Sequence, residues 1–220
     1  MRMKNYILAF FMLFNLILLK AQITEGEINY TSITTDTVNN TTTYMPDTVL
    51  FTYSFKNGSF SMFFGTDSVN NSMVVNSTGT YILSKAGTIK EYSFIPTGFN
   101  LDTLLNHTDS STVRYSITTE HQAIKGYYCT KAYMFSLSEE TGDTTKTTTI
   151  WYTDQIKGYN FIAGASETNL NLNGLILQYE YPEPNGTTIV TPKAISNSIV
   201  NDAIFTPDLT GYINRDNNTN

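Results

Sequence analysis

Short runs in which apolar and polar side chains alternate, separated by tight-turn sequences, are the feature that most constrains this chain. From Val49 to Phe55 every second residue is apolar or aromatic, and most of the residues between them are polar. A period of two is typical of a β-strand with one buried and one solvated face. Lys56–Asn57–Gly58–Ser59 follows, and Asn-Gly accepts the positive φ angles of a tight hairpin. The pattern therefore predicts a hairpin with Phe60–Phe64 as the second strand.

The same reasoning predicts strands along most of the chain, and abundant Tyr, Phe and Thr suit a half-buried pleated surface. Only Pro96–Asn106 and Gln155–Leu170 look like irregular or short helical insertions, and Glu139–Asp143 is a polar hairpin loop. We predict a mainly β fold, an antiparallel meander that closes as a barrel, half-barrel or sandwich. The further predicted strands are Gly26–Ile33, Ser72–Asn76, Thr80–Ser84, Thr88–Phe94, Val113–Thr119, Tyr127–Leu137, Thr147–Thr153, Leu175–Tyr181, Thr187–Val190 and Ile195–Phe205.

The first residues follow the design of a secretory signal. Arg2 and Lys4 precede the apolar run Tyr6–Leu19, and Ala21 lies where a signal peptidase cuts. The run is shorter than the roughly 20 apolar residues of a permanent membrane anchor. We therefore predict a signal peptide at residues 1–21, a single β-rich domain at 22–213 and a polar tail at 214–220 that frays. The protein is predicted to be exported, to the periplasm or to the medium.

Charge and cysteine content restrict the partners. The chain has a net charge of −6, and the signal removes three basic residues, so the mature protein is more acidic still. An acidic domain without a basic cluster matches neither phosphate backbones nor anionic lipid headgroups, so we predict no nucleic-acid partner and only transient or peripheral membrane contact. Cys129 is the single cysteine, which excludes an intramolecular disulfide. It lies in a predicted strand, as a buried thiol or as a site of pairing between chains.

The residues of common active sites are sparse. His107 and His121 are the two histidines, and neither has a second His or a Cys at metal-ligand spacing. No serine lies in a Gly-x-Ser-x-Gly elbow, and the nearest carboxylate pairs, Glu25 with Glu27 and Glu180 with Glu183, are typical of solvated faces. We predict a protein that is not an enzyme and has no metal site and no cofactor.

Several stretches resemble the GLPGLI family of exported proteins from Bacteroidetes-type bacteria and the related DUF4412-like proteins. Gly26–Tyr30 is similar to the family's opening strand, and Ile124–Ala132 with Ile150–Asp154 is similar to its central strands. Asn171–Leu177 matches the motif that names the family, with Asn in place of its first Gly and of its Pro. Ile204–Tyr212 resembles the closing phrase of this group.

The resemblance implies a LolA-like fold, a curved antiparallel sheet that forms a half-barrel with few short helices and can hold a lipid or a lipoprotein acyl chain. The residues that carry it are interpreted as a fold motif or as an apolar groove. They are Tyr127, Cys129, Trp151, Leu172, Gly174, Leu175, Ile176 and Leu177. Apart from the resemblance, Gly174 is typical of a turn or bulge before the apolar run Leu175–Leu177.

Three functions follow as hypotheses. The first is a periplasmic carrier that shelters an apolar group, a lipid or a lipoprotein acyl chain, inside the half-barrel. The second is an envelope accessory protein that docks another protein through an exposed sheet edge or face, with no small-molecule ligand. The third, a hydrolase, requires a Ser–His contact or a carboxylate cluster in a cleft.

Overall fold

The computed structural model describes residues 22–36, 41–44, 49–97, 111–138, 144–158, 172 and 174–218. Within these residues, thirteen strands form one sheet, and two short 3-10 helices, Asp202–Phe205 and Arg215–Asn218, lie near the C-terminus. The strands are β1 (Glu25–Asp36), β2 (Thr41–Tyr44), β3 (Phe51–Lys56), β4 (Ser59–Gly65), β5 (Val69–Asn76), β6 (Gly79–Ala86), β7 (Ile89–Pro96), β8 (Ser111–Ile124), β9 (Tyr127–Ser138), β10 (Thr144–Thr153), β11 (Leu175–Glu183), β12 (Gly186–Ser196) and β13 (Ile213–Asn214). The prediction of a mainly β, antiparallel fold is confirmed.

The sheet is two antiparallel meanders joined by β1. The strand order is β13-β7-β6-β5-β4-β3-β1-β12-β11-β10-β9-β8, and β2 pairs with the second half of β1. Strand β13 alone runs parallel to its neighbour, β7. The predicted hairpin turn at Lys56–Ser59 is confirmed, because Asn57 and Gly58 have φ of 48° and 88°. Such positive angles twist the two strands in the sense that a hairpin needs.

The inner face of the sheet carries the main core. Alternation along each strand aims aromatic and aliphatic side chains of β1, β3 and β4 inward, where they meet residues of β9 to β12. A Cβ atom placed on Gly158 would lie 2.9 Å from Leu175 of β11 and 3.1 Å from the Tyr53 hydroxyl of β3. In the sheet, β3 and β11 are separated by two strands, β1 and β12. Their approach to one point shows that the sheet is curved around its inner face.

The outer face of β3 to β7 is crossed by residues 200–214, which we name the C-terminal strap. The strap is tied at its start, where the Val200 N–H donates to Glu25 at 2.7 Å and Lys56 bridges Glu25 at 3.1 Å and Asp202 at 2.8 Å. In its middle, Asn76 donates from Nδ2 to the Phe205 carbonyl at 2.8 Å. The strap ends in β13, so it reaches from the centre of the sheet to the β7 edge.

One predicted strand is wrong in most of its length. Ile195–Phe205 was expected to be extended, yet β12 ends at Ser196 and Asp202–Phe205 is a 3-10 helix. The Asn201 side chain accepts from the Ala203 N–H at 3.0 Å. This N-cap stabilises the start of the 3-10 helix, so the segment is helical here and does not pair as a strand. Val200 and Phe205 of this stretch are buried because the strap packs them against the sheet, whereas Ile199 and Ile204 are exposed.

Two strands of the structure extend to prolines that lie outside the predicted strands Thr187–Val190 and Thr88–Phe94. Proline has no N–H to donate to a neighbouring strand. Strand β12 continues through Pro192, where the register with β1 shifts between Asn29 and Tyr30. Strand β7 includes Pro96 as its last residue. A bulge and a strand end are the two places where a missing N–H is tolerated.

Part of the predicted polar tail is fixed to the sheet. Arg215 donates from Nε to Glu91 at 2.7 Å, and the Asp216 carboxylate accepts from the Phe94 N–H at 3.0 Å. Residues 214–218 therefore cover a portion of the β7 edge.

Several predictions lie outside the described residues: the signal peptide at 1–21, the Glu139–Asp143 loop, residues 98–106 and 159–170 of the two insertions, His107, Asn171 and Asn173. In the part of the chain that is described, no helix is both long and apolar enough to cross a bilayer.

Truncating a ring of the inner core should cost far more than truncating a ring of the opposite face. Phe60 is 1% exposed and Phe63, on the same strand, is 36% exposed. We expect Phe60→Ala to lower the free energy of unfolding by about 3–5 kcal/mol and Phe63→Ala by less than about 1 kcal/mol. Chemical denaturation of both variants measures this. Equal losses would contradict the assignment of the two faces.

The anchor of the strap should depend on pH. The Val200 N–H and then Lys56 hold the pKa of Glu25 below its ordinary value of 4.5, so the anionic form stabilises the fold above that value. This contribution is lost as the pH falls through the lowered pKa. We expect Glu25→Gln to have a lower Tm than the parent at pH 7, with the difference shrinking below about pH 4.5.

The control is Glu183→Gln, at the exposed end of β11, which should leave Tm nearly unchanged throughout. A Glu25→Gln difference that stays constant down to pH 3 would show that the charge of Glu25 does not act in this anchor.

Candidate functional site

One row of inner-face side chains leads from the core to solvent. Tyr53, Met62, Met73 and Ile82 lie opposite one another on β3, β4, β5 and β6, so they share one face. We name them the inner row. Met62 is 2% exposed, Met73 is half-buried and Ile82 is 42% exposed. The inner face therefore stays apolar after the core has ended, and it presents that apolar surface to solvent on β6.

The two rows beside the inner row differ from each other. On one side the row continues as far as β7 through Phe60, Val75, Thr80 and Ile95, of which Val75 is half-buried and the other three are buried. On the other side the row begins with Phe64 and continues with polar residues, Asn71 of β5, Ser84 of β6 and Glu91 of β7. The exposed end of the inner row thus lies between a closed apolar side and an open polar side.

Aromatic rings line the deep end of this surface. Tyr30 stacks on Phe51 with ring centroids 4.5 Å apart, and Phe51 contacts Phe64 at 5.1 Å. Tyr53 stacks on Phe60 at 5.6 Å. Such ring pairs each contribute about 0.5–1.5 kcal/mol beyond their burial, so the stacked rings stabilise the deep end of the surface.

The eight predicted site residues do not form a single group. Five belong to the inner core: Cys129, Trp151, Leu175 and Leu177 are buried in it, and Tyr127 packs against it. Leu172 and Ile176 belong instead to a second cluster with Ala132, Met134 and Ile150. The predicted apolar run on β11 is therefore divided between two clusters. Whether any of these eight residues contacts a ligand stays a prediction.

Gly174 has a backbone role. Its φ is 149°, and a Cβ atom there would overlap the backbone carbonyl of Thr153, at the end of β10. The close approach of the two chains at this point admits no side chain. The predicted turn or bulge before Leu175 corresponds to a bend in the structure.

The inner core contains groups that titrate in water but are held neutral here. Burial raises the pKa of the Cys129 thiol to about 11, so at neutral pH the reactive thiolate is scarce. Burial raises the pKa of Tyr179 to about 12, and it also raises the pKa of Tyr30 well above its ordinary value of 10. The Tyr30 hydroxyl donates to the Ile176 carbonyl at 3.0 Å, which satisfies it without charge.

Other residues considered for chemistry have local partners. His121 stacks on Tyr128 at 4.7 Å between ring centroids, and its Nδ1 lies 3.2 Å from Thr130 Oγ1. Glu25 is engaged with Lys56, and Glu180 accepts from Gln178 at 3.1 Å. Among the described residues, no three His, Cys, Asp or Glu side chains come together as metal ligands.

The sequence analysis missed Met73 and Ile82. In the predicted strand Thr80–Ser84, Tyr81 and Leu83 are the stronger apolar pair, so they suggest the core-facing side. The structure places Tyr81 on the face that the strap covers, and Ile82 faces inward. When a strand has apolar residues on both faces, alternation does not indicate which face points to the core.

Comparisons with known proteins give limited help. No protein-family model matches the chain, and no curated protein matches it. Among solved structures it is similar to the lipoprotein LppX of Mycobacterium tuberculosis, with 10% identity, 81% of this chain and 89% of that chain covered, and a TM-score of 0.32. It is also similar to LprF from Mycobacterium bovis, with 11% identity, 82% and 89% coverage, and a TM-score of 0.30. Superpositions this loose carry no argument about function, and membership of the GLPGLI family stays a prediction.

Gly174 offers a matched comparison with Gly126, another glycine of the predicted motifs. Both have positive φ, but a Cβ atom at Gly126 meets nothing within 4 Å. Gly126→Ala should therefore cost only the backbone strain of about 1–2 kcal/mol. Gly174→Ala should cost clearly more, because it adds a clash with Thr153. Urea unfolding of both variants measures the difference, and an equal loss would refute the close approach at Gly174.

Proposed function

We propose that this protein is a non-catalytic binder that holds an apolar ligand, a lipid or the acyl chain of a lipoprotein, against the inner face of its half-barrel. The observation that supports this is the inner row, which continues from buried Met62 through Met73 to Ile82, 42% exposed. Apolar surface that is continuous, concave and left in water is the usual property of a ligand site.

The energetics of an acyl chain suit such a surface. Each buried methylene contributes about 0.8 kcal/mol, so ten methylenes laid along the inner row would contribute about 8 kcal/mol. Association and ordering of the chain oppose this by several kcal/mol. The expected affinity is therefore moderate, which suits a carrier that must release its cargo.

The proposed location follows from the sequence. We infer that the chain works outside the cytoplasm, in the periplasm or after secretion, because its first 21 residues have the pattern of a cleavable signal. Contact with the membrane would be transient or peripheral, as cargo is collected or delivered. No cofactor is part of the proposal.

A second candidate function is docking of another protein at the β8 edge. Within the described residues, β8 pairs with β9 alone, and Ile117 on it is 53% exposed. Free edges accept an added strand. However, Ile117 and His121 lie opposite Ala132 and Thr130, so β8 holds extra residues that bulge out of register. Bulges blunt an edge against pairing, and we therefore rank this function second.

The single tryptophan provides a built-in reporter for the first proposal. Trp151 belongs to the inner core and is 9% exposed. A fatty acid brominated in mid-chain quenches tryptophan only at short range, so we expect saturable quenching of Trp151. Ile82→Glu places a charge on the exposed end of the inner row and should weaken binding at least about tenfold, since a buried unpaired charge costs several kcal/mol.

Ile199→Glu is the matched control, because Ile199 is 87% exposed and lies in the loop after β12. It should bind the fatty acid as the parent does. Absence of quenching, or equal quenching in both variants, would contradict the proposal. Native mass spectrometry then decides between the two functions: an unchanged mass after incubation with envelope lipids would favour protein docking.

A further inference from the structure

A cavity with a mixed polar and apolar lining lies on the opposite face of the sheet from the inner row. It has a volume of about 460 Å³ and is bounded by the β3–β4 and β5–β6 hairpins on one side and by the strap on the other. Small-molecule sites have volumes of roughly 300–1,000 Å³, so the size admits a small ligand. Nothing in the proposed function uses this cavity.

The walls of the cavity are held in place by hydrogen bonds. Asn76 joins the two sides, since its Nδ2 donates to the Phe205 carbonyl at 2.8 Å. Its Oδ1 accepts from the Thr78 N–H at 2.9 Å and from the Thr78 hydroxyl at 2.6 Å. The Thr78 hydroxyl in turn lies 3.2 Å from the Tyr81 hydroxyl. A site whose walls are already ordered loses little entropy when a ligand binds.

The charges of the cavity cancel. Lys56 and Asp202 both line it, and their ion pair measures 2.8 Å. Lys56 also bonds to Glu25 and to the Val200 carbonyl, at 3.1 Å each, so its ammonium has little capacity left for an anion. Asp202 is likewise compensated, which disfavours a cation. The site therefore favours a ligand without net charge.

The remaining lining supplies polar groups beside an aromatic ring. Asn57, Ser59, Ser77 and Thr206 also line the cavity; Ser59 is half-buried and the other three are exposed to solvent. Asn, Ser and Thr side chains both donate and accept, as the hydroxyl groups of a polyol do. Tyr81 lines the cavity from the sheet, and its half-buried ring offers apolar surface for the C–H groups of such a ligand.

We propose that this cavity binds a small uncharged polyhydroxylated ligand, a sugar or a sugar unit of a glycan. The paired charges disfavour ionic recognition, the solvent-accessible hydroxyl and amide groups match a ring of hydroxyls, and the half-buried ring of Tyr81 matches its C–H face. The proposal concerns the outer face only and is independent of any ligand on the inner row.

The experiment is NMR titration of the ¹⁵N-labelled mature chain with glucose, N-acetylglucosamine and maltose. We expect saturable shifts of the backbone amides of Asn57, Gly58, Ser77, Thr78 and Thr206 with at least one sugar. Ser77→Trp fills the cavity from an exposed turn and should lower the affinity for that sugar at least tenfold. Ser68→Trp makes the same change in the neighbouring exposed turn, outside the cavity, and should bind as the parent does.

The amide shifts of the parent protein keep the test valid even if a variant does not fold. Shifts spread over the whole sheet, no saturable shift with any of the three sugars, or unchanged binding by a folded Ser77→Trp would overturn the proposal. Tighter binding of spermidine or inorganic phosphate than of the sugars, at the same amides, would also overturn it. Quenching of Trp151 by the brominated fatty acid should be unaffected by saturating sugar.

Discussion

Strand β1 pairs on both sides, and the rest of the sheet depends on that pairing. Its first half lies between β3 and β12, and its second half lies between β2 and β12. Ile28 and Tyr30 point from it into the core, and the Tyr30 hydroxyl reaches across β12 to the Ile176 carbonyl. Without β1 the two meanders would be separate sheets, each with an unpaired edge and half of a core.

This arrangement has a kinetic consequence. The hairpins of both meanders are local and close quickly, whereas β1 must meet β12 from the other end of the chain. Contacts of such sequence separation slow folding, because the loop entropy is lost before the core compensates for it. Until β1 is in place, the apolar rings around Phe51 and Phe60 have no opposite wall. The ordered strap, whose anchor on Glu25 is part of β1, can form only after that step.

The sequence predicted the strands better than it predicted what each strand faces. Alternation from Val49 to Phe55 and the Asn57–Gly58 turn are local properties, and the structure has both. Which face of a strand is covered depends on residues far away in sequence. The strap buries Val200 and Phe205 against the sheet, within the stretch Ile195–Phe205 that was predicted as a strand.

The candidate site was only partly predictable for the same reason. Leu175–Leu177 was recognised as apolar, yet its residues divide between two clusters because β11 is covered on both faces. A strand buried on both faces shows a continuous apolar run and loses the alternation that would assign its sides. Gly174 was the exception, since a backbone that must pass close to Thr153 requires glycine whatever surrounds it.

A single exposed Ile82 would need no explanation, because isolated apolar residues are common on protein surfaces and Ile is a good strand former. The register changes this judgement. Ile82 is the outer member of a row whose other members, Tyr53, Met62 and Met73, share its face. Its position at the end of a continuous apolar row is what makes the inner face, rather than the eight motif residues, the surface on which a ligand is expected.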